Sequence, residues 1–195
     1  MKIRNNLFLI LFKSKEESKW ETWKKFAYKN NYSYSTVSDP YERPIIRGQI
    51  NNKPISVEAV YNINNKEEMY LQIKSPIHNP RDLFLLVQDK KVLKSKSGIF
   101  DKYLHGICED KEIEDRFLLK SNSERLSSNV LNFHGLSSEL LNLNNFTIEL
   151  IDYELILTIY NLLEINKEFI EFLKLFYTFL LAFEQFSFET IMNRK

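Results

Sequence analysis

The chain has 195 residues, a formal net charge of +1, 44% hydrophobic residues and 27% charged ones. That length suits one large domain or two small ones, and the apolar fraction supports a buried core and excludes a disordered chain. The near-neutral balance excludes the strong positive field with which nucleic-acid binders gather phosphates, and the single cysteine, Cys108, excludes an intramolecular disulfide and fits a reducing, cytoplasmic compartment.

Lys2 and Arg4 precede the apolar run Leu7-Phe8-Leu9-Ile10-Leu11-Phe12. The run is short for a signal peptide, charged residues follow it, and no small-residue cleavage site is present, so it reads as the start of a buried strand or helix. Ser14-Lys15-Glu16-Glu17 has the form of a capping box. The amphipathic helix it opens is expected to run to about Asn30, with Trp20, Trp23, Phe26 and Ala27 on one face and Asn30-Asn31 as its stop.

Tyr32 to Val37 alternates as a strand and ends at Asp39-Pro40. Ile45–Ile50 and Ile55–Tyr61 flank the turn Asn51-Asn52-Lys53-Pro54, Asn62–Glu67 forms the next turn, and Met69 to Lys74 alternates again. Gly48, inside a strand, marks the close approach of a neighbour, expected to be one of the two long helices. Leu83–Val87 reads as a buried strand.

Gln88 to Asp115 is the least regular stretch. It is basic at its start (Lys90, Lys91, Lys94, Lys96) and acidic at its end (Glu109, Asp110, Glu112, Glu114, Asp115), and the charges read as solvated surface. Arg116–Lys120 is a short strand, Ser121-Asn122-Ser123-Glu124 a second capping box opening a helix to about Leu131, and Leu136–Leu143 a further helical turn or two.

The last forty-odd residues carry the clearest pattern. Phe146, Ile148 and Leu150 alternate with Thr147 and Glu149, and Leu155 to Tyr160 is apolar on both faces, as in a strand covered on both sides. Asn166–Phe186 is a long helix with one narrow polar stripe at Lys167, Glu171, Lys174, Thr178 and Gln185. It has the ~20 residues that span a bilayer, but Glu171 and Lys174 sit inside it, and a charge near a bilayer centre costs about 3 kcal/mol, so a core helix is the better reading. Strands and helices do not alternate. The fold class is therefore α+β: one domain over 1–195, an antiparallel sheet of about six to seven strands, the long C-terminal helix packed on one face and the amphipathic helix at the N-terminus.

Four sets of residues together resemble a group of uncharacterised bacterial, cyanobacterial-type proteins: Trp23-x-x-Phe26-Ala27 before Tyr32-Ser33-Tyr34; Ile46-x-Gly48 with Ile55-Ser56-Val57; Gly98-Ile99-Phe100-Asp101 with Arg116-Phe117-Leu118-Leu119 and Glu124-Arg125-Leu126; and the terminal hairpin with its helix. The extra residues between Asp101 and Asp115 depart from that pattern. The resemblance implies a bacterial domain and transfers no activity, cofactor or site.

Chemistry-bearing motifs are sparse. The glycines Gly48, Gly98, Gly106 and Gly135 form no phosphate loop and no nucleophile elbow. His105 and Cys108 are three apart, but nothing completes a metal-ligand set or a nucleophilic triad around them, so no metal or cofactor is expected and Cys108 is expected to carry no essential chemistry. The leading reading is a non-enzymatic cytoplasmic binding or interaction protein that takes an apolar ligand or a protein partner at the helix–sheet groove, with Trp20, Trp23, Phe176 and Phe183 as candidate contact residues. One alternative is a small-molecule enzyme with a site around Asp101 and His105. The other is a peripheral membrane protein using the C-terminal helix and Lys90–Lys96; self-association is left open.

Overall fold

The computed structural model describes residues 20–38, 43–61, 68–79, 83–92, 104–105, 108, 110–162 and 164–192, with the side chains of 104–105 and 187–192 outside the description. Helix α1 covers 20–29. The strands are β1 (Ser33–Val37), β2 (Arg43–Ile50), β3 (Lys53–Tyr61), β4 (Met69–Pro76), β5 (Leu85–Asp89), β6 (Leu104–His105), β7 (Phe117–Ser121), β8 (Phe146–Ile151) and β9 (Glu154–Tyr160). The remaining helices are α2 (Lys111–Arg116), α3 (Glu124–Leu131), α4 (Leu136–Asn142) and α5 (Lys167–Met192).

Among the described residues nine strands join one sheet in the order β1-β2-β3-β4-β9-β8-β5-β7-β6, and each neighbouring pair is antiparallel. The expectation of six to seven strands was therefore low. Eight strands have five residues or more, because the short segments β1, β5 and β7 all pair into the same sheet, and the two-residue β6 adds a ninth at its edge.

Local chemistry explains the joints. Helix α1 ends as foreseen at Asn30-Asn31. Asn31 takes a left-handed φ of 56°, and the amides of Asn31 and Tyr32 bond back to the carbonyls of Tyr28 (3.3 Å) and Ala27 (2.8 Å), which is a Schellman stop. That stop delivers the Tyr32 ring onto Gly48, where a Cβ would collide with the ring. The close approach expected at Gly48 is thus present, but the neighbour is Tyr32 and not a helix. Asn51 and Asn52 both have positive φ (47° and 66°), the geometry of a tight two-residue hairpin turn. The cap of α3 is Ser123, whose hydroxyl accepts from the Leu126 amide (3.2 Å), whereas Ser121 ends β7 and donates to the Phe84 carbonyl (2.9 Å). Helix α2 replaces part of the stretch expected to be irregular, with Asp110 as its N-cap.

The β8–β9 hairpin is inserted between β4 and β5, so the end of β4 and the start of β5 both lie beside its turn. Two contacts tie the described residues there to the turn. The Ile77 amide donates to the Tyr153 carbonyl (2.7 Å). Asn79, 1% exposed, donates to the carbonyls of Leu83 and Asp152 and accepts from the Leu83 amide (3.0 Å). A buried carboxamide so satisfied holds the two segments to the hairpin turn.

The helix-packed core cluster lies on one face, while Leu86 and Ile45, also buried, lie on the other. Residues Val57, Ala59, Leu71, Ile73, Leu155, Leu157, Phe146, Ile148, Leu85 and Val87 form a single cluster with the helices. Helix α5, capped by the Asn166 side chain on the Phe169 amide (3.1 Å), brings six phenylalanines to it: Phe169, Phe172, Phe176, Phe179, Phe183 and Phe186. Their spacing of three, four, three, four, three puts them on one stripe. Phe172 packs on Phe146 at the start of β8 (5.7 Å between ring centres), and Phe169 packs on Phe26 of α1 (5.3 Å). Glu184 pairs with Lys53 at the start of β3.

Phe176→Ala is expected to lower stability by about 3–5 kcal/mol in urea unfolding, whereas Lys174→Ala, an exposed i,i+3 partner of Glu171, is expected to shift it by less than about 0.5 kcal/mol. Gly48→Ala should cost about 1–3 kcal/mol by displacing the Tyr32 ring; the same substitution in a Tyr32→Ala background should cost almost nothing, which a double-mutant cycle measures.

Candidate functional site: the helix-free face of the sheet

Strand alternation turns every second residue away from the helices. Across the sheet the pairing aligns Glu58, Gln72, Thr158, Thr147, Gln88 and Leu118 in one row, and Ser56, Lys74, Ile156, Glu149, Leu86 and Lys120 in the next. Tyr70 and Tyr160 stand opposite each other beside the first row. Among the described residues no helix contributes to this face: the core cluster holds only the alternate residues of these strands. Leu155–Tyr160 was expected to be covered on both sides; Ile156 and Tyr160, on the side away from the helices, are only half-buried.

The middle of the face is nevertheless well enclosed. Thr158 and Thr147 are each 4% exposed and Gln88 7%. Gln72 donates to the Thr158 hydroxyl (3.2 Å), Lys74 pairs with Glu58, and the Tyr70 and Tyr160 rings lie 5.9 Å apart, tilted by 47°. The hydroxyl of Thr147 is buried and lies within hydrogen-bonding reach of the Tyr160 phenol.

Both tyrosines are harder to ionise than free tyrosine. Burial raises the pKa of Tyr70, and the negative charge of Glu149 adds to it. For Tyr160 burial is again the main cause; the Thr147 hydroxyl opposes it, because it can turn toward a phenolate, while Glu149 and Tyr70 push the same way as burial. A phenol whose folded-state pKa lies above its unfolded value holds its proton longer in the folded state. Its contribution to stability is therefore complete below the unfolded pKa of about 10 and is lost as pH rises through the folded one. Urea midpoints should fall as pH rises above about 10, and Tyr160→Phe should flatten that fall.

A second polar cluster sits where β5 ends. Asp89, fully buried, accepts from the amides of Lys91 (2.9 Å) and Asn145 (3.1 Å) and pairs with Arg116 (3.4 Å). Arg116 also donates to the carbonyls of Leu141 and Leu143 at the end of α4, and its guanidinium lies over the Phe117 ring (4.9 Å). Lys90 donates to the carbonyls of Glu114 and Asp115, and Lys91 to Asn144. These cations stabilise helix C-termini and the sheet end. Of the stretch Lys90–Lys96 proposed for membrane contact, Lys90 and Lys91 are used internally, and Lys94 and Lys96 lie outside the described residues.

Of the four candidate contact residues, Trp23 and Phe176 are wholly buried and Phe183 is 1% exposed, all inside the helix–sheet layer. Trp20 is half-buried and meets the edge of Trp23 at 6.0 Å. The groove between α5 and the sheet is filled by the chain's own rings, so an outside molecule would reach these side chains only by lifting a helix. Asp101 and the side chain of His105 lie outside the described residues. Cys108 is buried, with Asn132 Oδ1 3.9 Å from its sulfur. No group of three or more potential metal ligands occurs among the described residues, and none of their helices is long and apolar enough to cross a membrane.

A hollow of about 240 Å³ opens between the end of α3 and α5. Asn129, Asn132, Phe133 and His134 form its α3 side. On α5, Gln185 and Phe186 face them, and the small side chain of Ala182 leaves the space between.

No family model matches the chain, and neither a curated protein nor a solved structure matches it. The functional reading therefore rests on geometry. Thr147 and Gln88 carried a sequence signal, polar residues at alternate positions of otherwise apolar strands, but alternation alone does not separate an enclosed polar row from an ordinary solvated face.

Proposed function

We propose that this protein is a non-enzymatic binding protein that engages a protein partner over the helix-free face of its sheet. The observation that carries this reading is the division of the sheet: one face is packed by the helices, and the other, free of helices among the described residues, keeps Gln72, Lys74, Glu149 and the Tyr70–Tyr160 pair partly exposed around an enclosed centre. From β3 to β7 that face is six strands wide, about 24 Å at ~4.8 Å per strand, a breadth that suits a partner surface better than a small molecule. Tyrosines with half-buried rings, a polar rim and no dominant charge sign are the composition of protein interfaces. A reducing, cytoplasmic setting, suggested by the lone cysteine, and a bacterial source, suggested by the family resemblance, belong to the same proposal.

For a partner purified and reconstituted with the chain, hydroxyl-radical footprinting should show Tyr70 and Tyr160 protected, and Tyr70→Glu should abolish the complex without loss of folding. A complex that protects neither tyrosine and tolerates Tyr70→Glu would remove the sheet face from consideration.

A further inference from the structure

The side of α5 turned away from its phenylalanines carries a second stripe. Lys167, Ile170, Lys174, Tyr177, Leu181 and Glu184 repeat the three, four, three, four, three spacing of the buried rings. At about 100° per residue they lie nearly opposite them. Ile170 and Leu181 are each 36% exposed, two of the four exposed large apolar side chains among the described residues. Tyr177 between them is half-buried, and Lys167, Lys174 and Glu184 are exposed. A three-four repeat is the seam along which one helix packs against another. The phenylalanine stripe uses that repeat inward; this one presents it outward. The stripe shares no residue with the helix-free face of the sheet.

We propose that a second copy of this chain docks along this seam, with the two α5 helices antiparallel. The order of charges decides both the occupant and its direction. The seam is basic at its start and acidic at its end, so a parallel pair would set Lys167 against Lys167, Lys174 against Lys174 and Glu184 against Glu184, and like charges repel. An antiparallel pair with its two-fold axis between Leu175 and Phe176 sets Lys167 of one copy against Glu184 of the other. It also sets Ile170 against Leu181 and Lys174 against the Tyr177 ring, a cation–π contact. The symmetry makes each pair twice. The apolar pairs supply the attraction and the charges fix the register. Glu184 already pairs with Lys53, and Lys174 with Glu171, and the dimer does not require either bond to break. A carboxylate accepts several donors and an ammonium carries three protons. A lipid surface fits less well, because a membrane-surface helix keeps its charges off the apolar stripe, and here they stand within it. The contact runs about 26 Å at 1.5 Å per residue, a narrow seam that belongs with the weaker specific interfaces.

The test is sedimentation equilibrium of the full chain from about 5 to about 200 µM, a range that reports micromolar association. A reversible monomer–dimer equilibrium is expected. Leu181→Lys should raise the dimer Kd at least tenfold, with the melting temperature of the dilute monomer unchanged. Ile170→Lys should do the same, and it decides if Leu181→Lys does not fold. Direction is read by cross-linking: under mild oxidation, Ile170→Cys mixed with Leu181→Cys should form a disulfide-linked dimer at least tenfold faster than either variant alone. The proposal is overturned if the chain stays monomeric throughout that range, if both lysine variants leave the Kd unchanged, or if either cysteine variant links to itself as fast as the mixture does. It is also overturned in favour of a lipid surface if the chain is monomeric in solution, sediments with phosphatidylcholine–phosphatidylglycerol vesicles and is released from them by Leu181→Lys.

Discussion

A nine-stranded sheet is stable only if at least one of its faces leaves water, and here one contact layer does most of that: the phenylalanine stripe of α5 against the alternate residues of the central strands. Rings tie the layer together in both directions. Phe169 reaches Phe26 and, through it, the edge of Tyr32 above Gly48. Phe172 reaches Phe146, which meets Phe117 at 5.5 Å, and Phe117 lies under Arg116. Helix α1 and the β5–β7 end of the sheet, far apart in sequence, are thus joined through the same helix. Large aromatic side chains suit this task because each removes much apolar surface from water at the cost of only two side-chain torsions.

Committing one face to the helices determines what is left for recognition. The helix-free face is assembled from strands of distant parts of the chain: Glu58 and Gln72 come from the early meander, Gln88 from β5, and Thr147 and Thr158 from the terminal hairpin. A polar row of this kind exists only when the whole sheet has formed, so whatever binds there reads the completed fold.

Periodicity made the fold class and most elements legible. The alternation of Phe146, Ile148 and Leu150 and the apolar α5 both point to the burial found, and Asn30-Asn31 marks the helix end. Helix α2 was hidden because Asp110, Glu112 and Glu114 read as solvated charge; with Asp110 taken as an N-cap, the same acids lie in a first turn where they are favoured. Phe176 and Phe183 were legible as apolar but not as inward or outward, because a helix hydrophobic on most of its circumference gives no direction of burial. The strict three-four repeat of the phenylalanines carried that direction. Thr147 could not be singled out at all: its enclosure depends on Tyr160 and on strands that meet only through register.

The placement of the β8–β9 hairpin has a consequence for the order in which the molecule forms. The central pairs Tyr70–Tyr160 and Leu85–Leu150 join residues 90 and 65 positions apart, while β1 to β4 and β5 with β7 pair across shorter separations. Non-local pairs of this kind close long loops before they are rewarded and slow folding. During synthesis the two parts of the sheet emerge with the edges of β4 and β5 open, and they stay open until residues 146–160 have left the ribosome. Exposed edges of that kind recruit other strands, so the interval before the hairpin arrives is when this chain is most prone to aggregate and most dependent on chaperones.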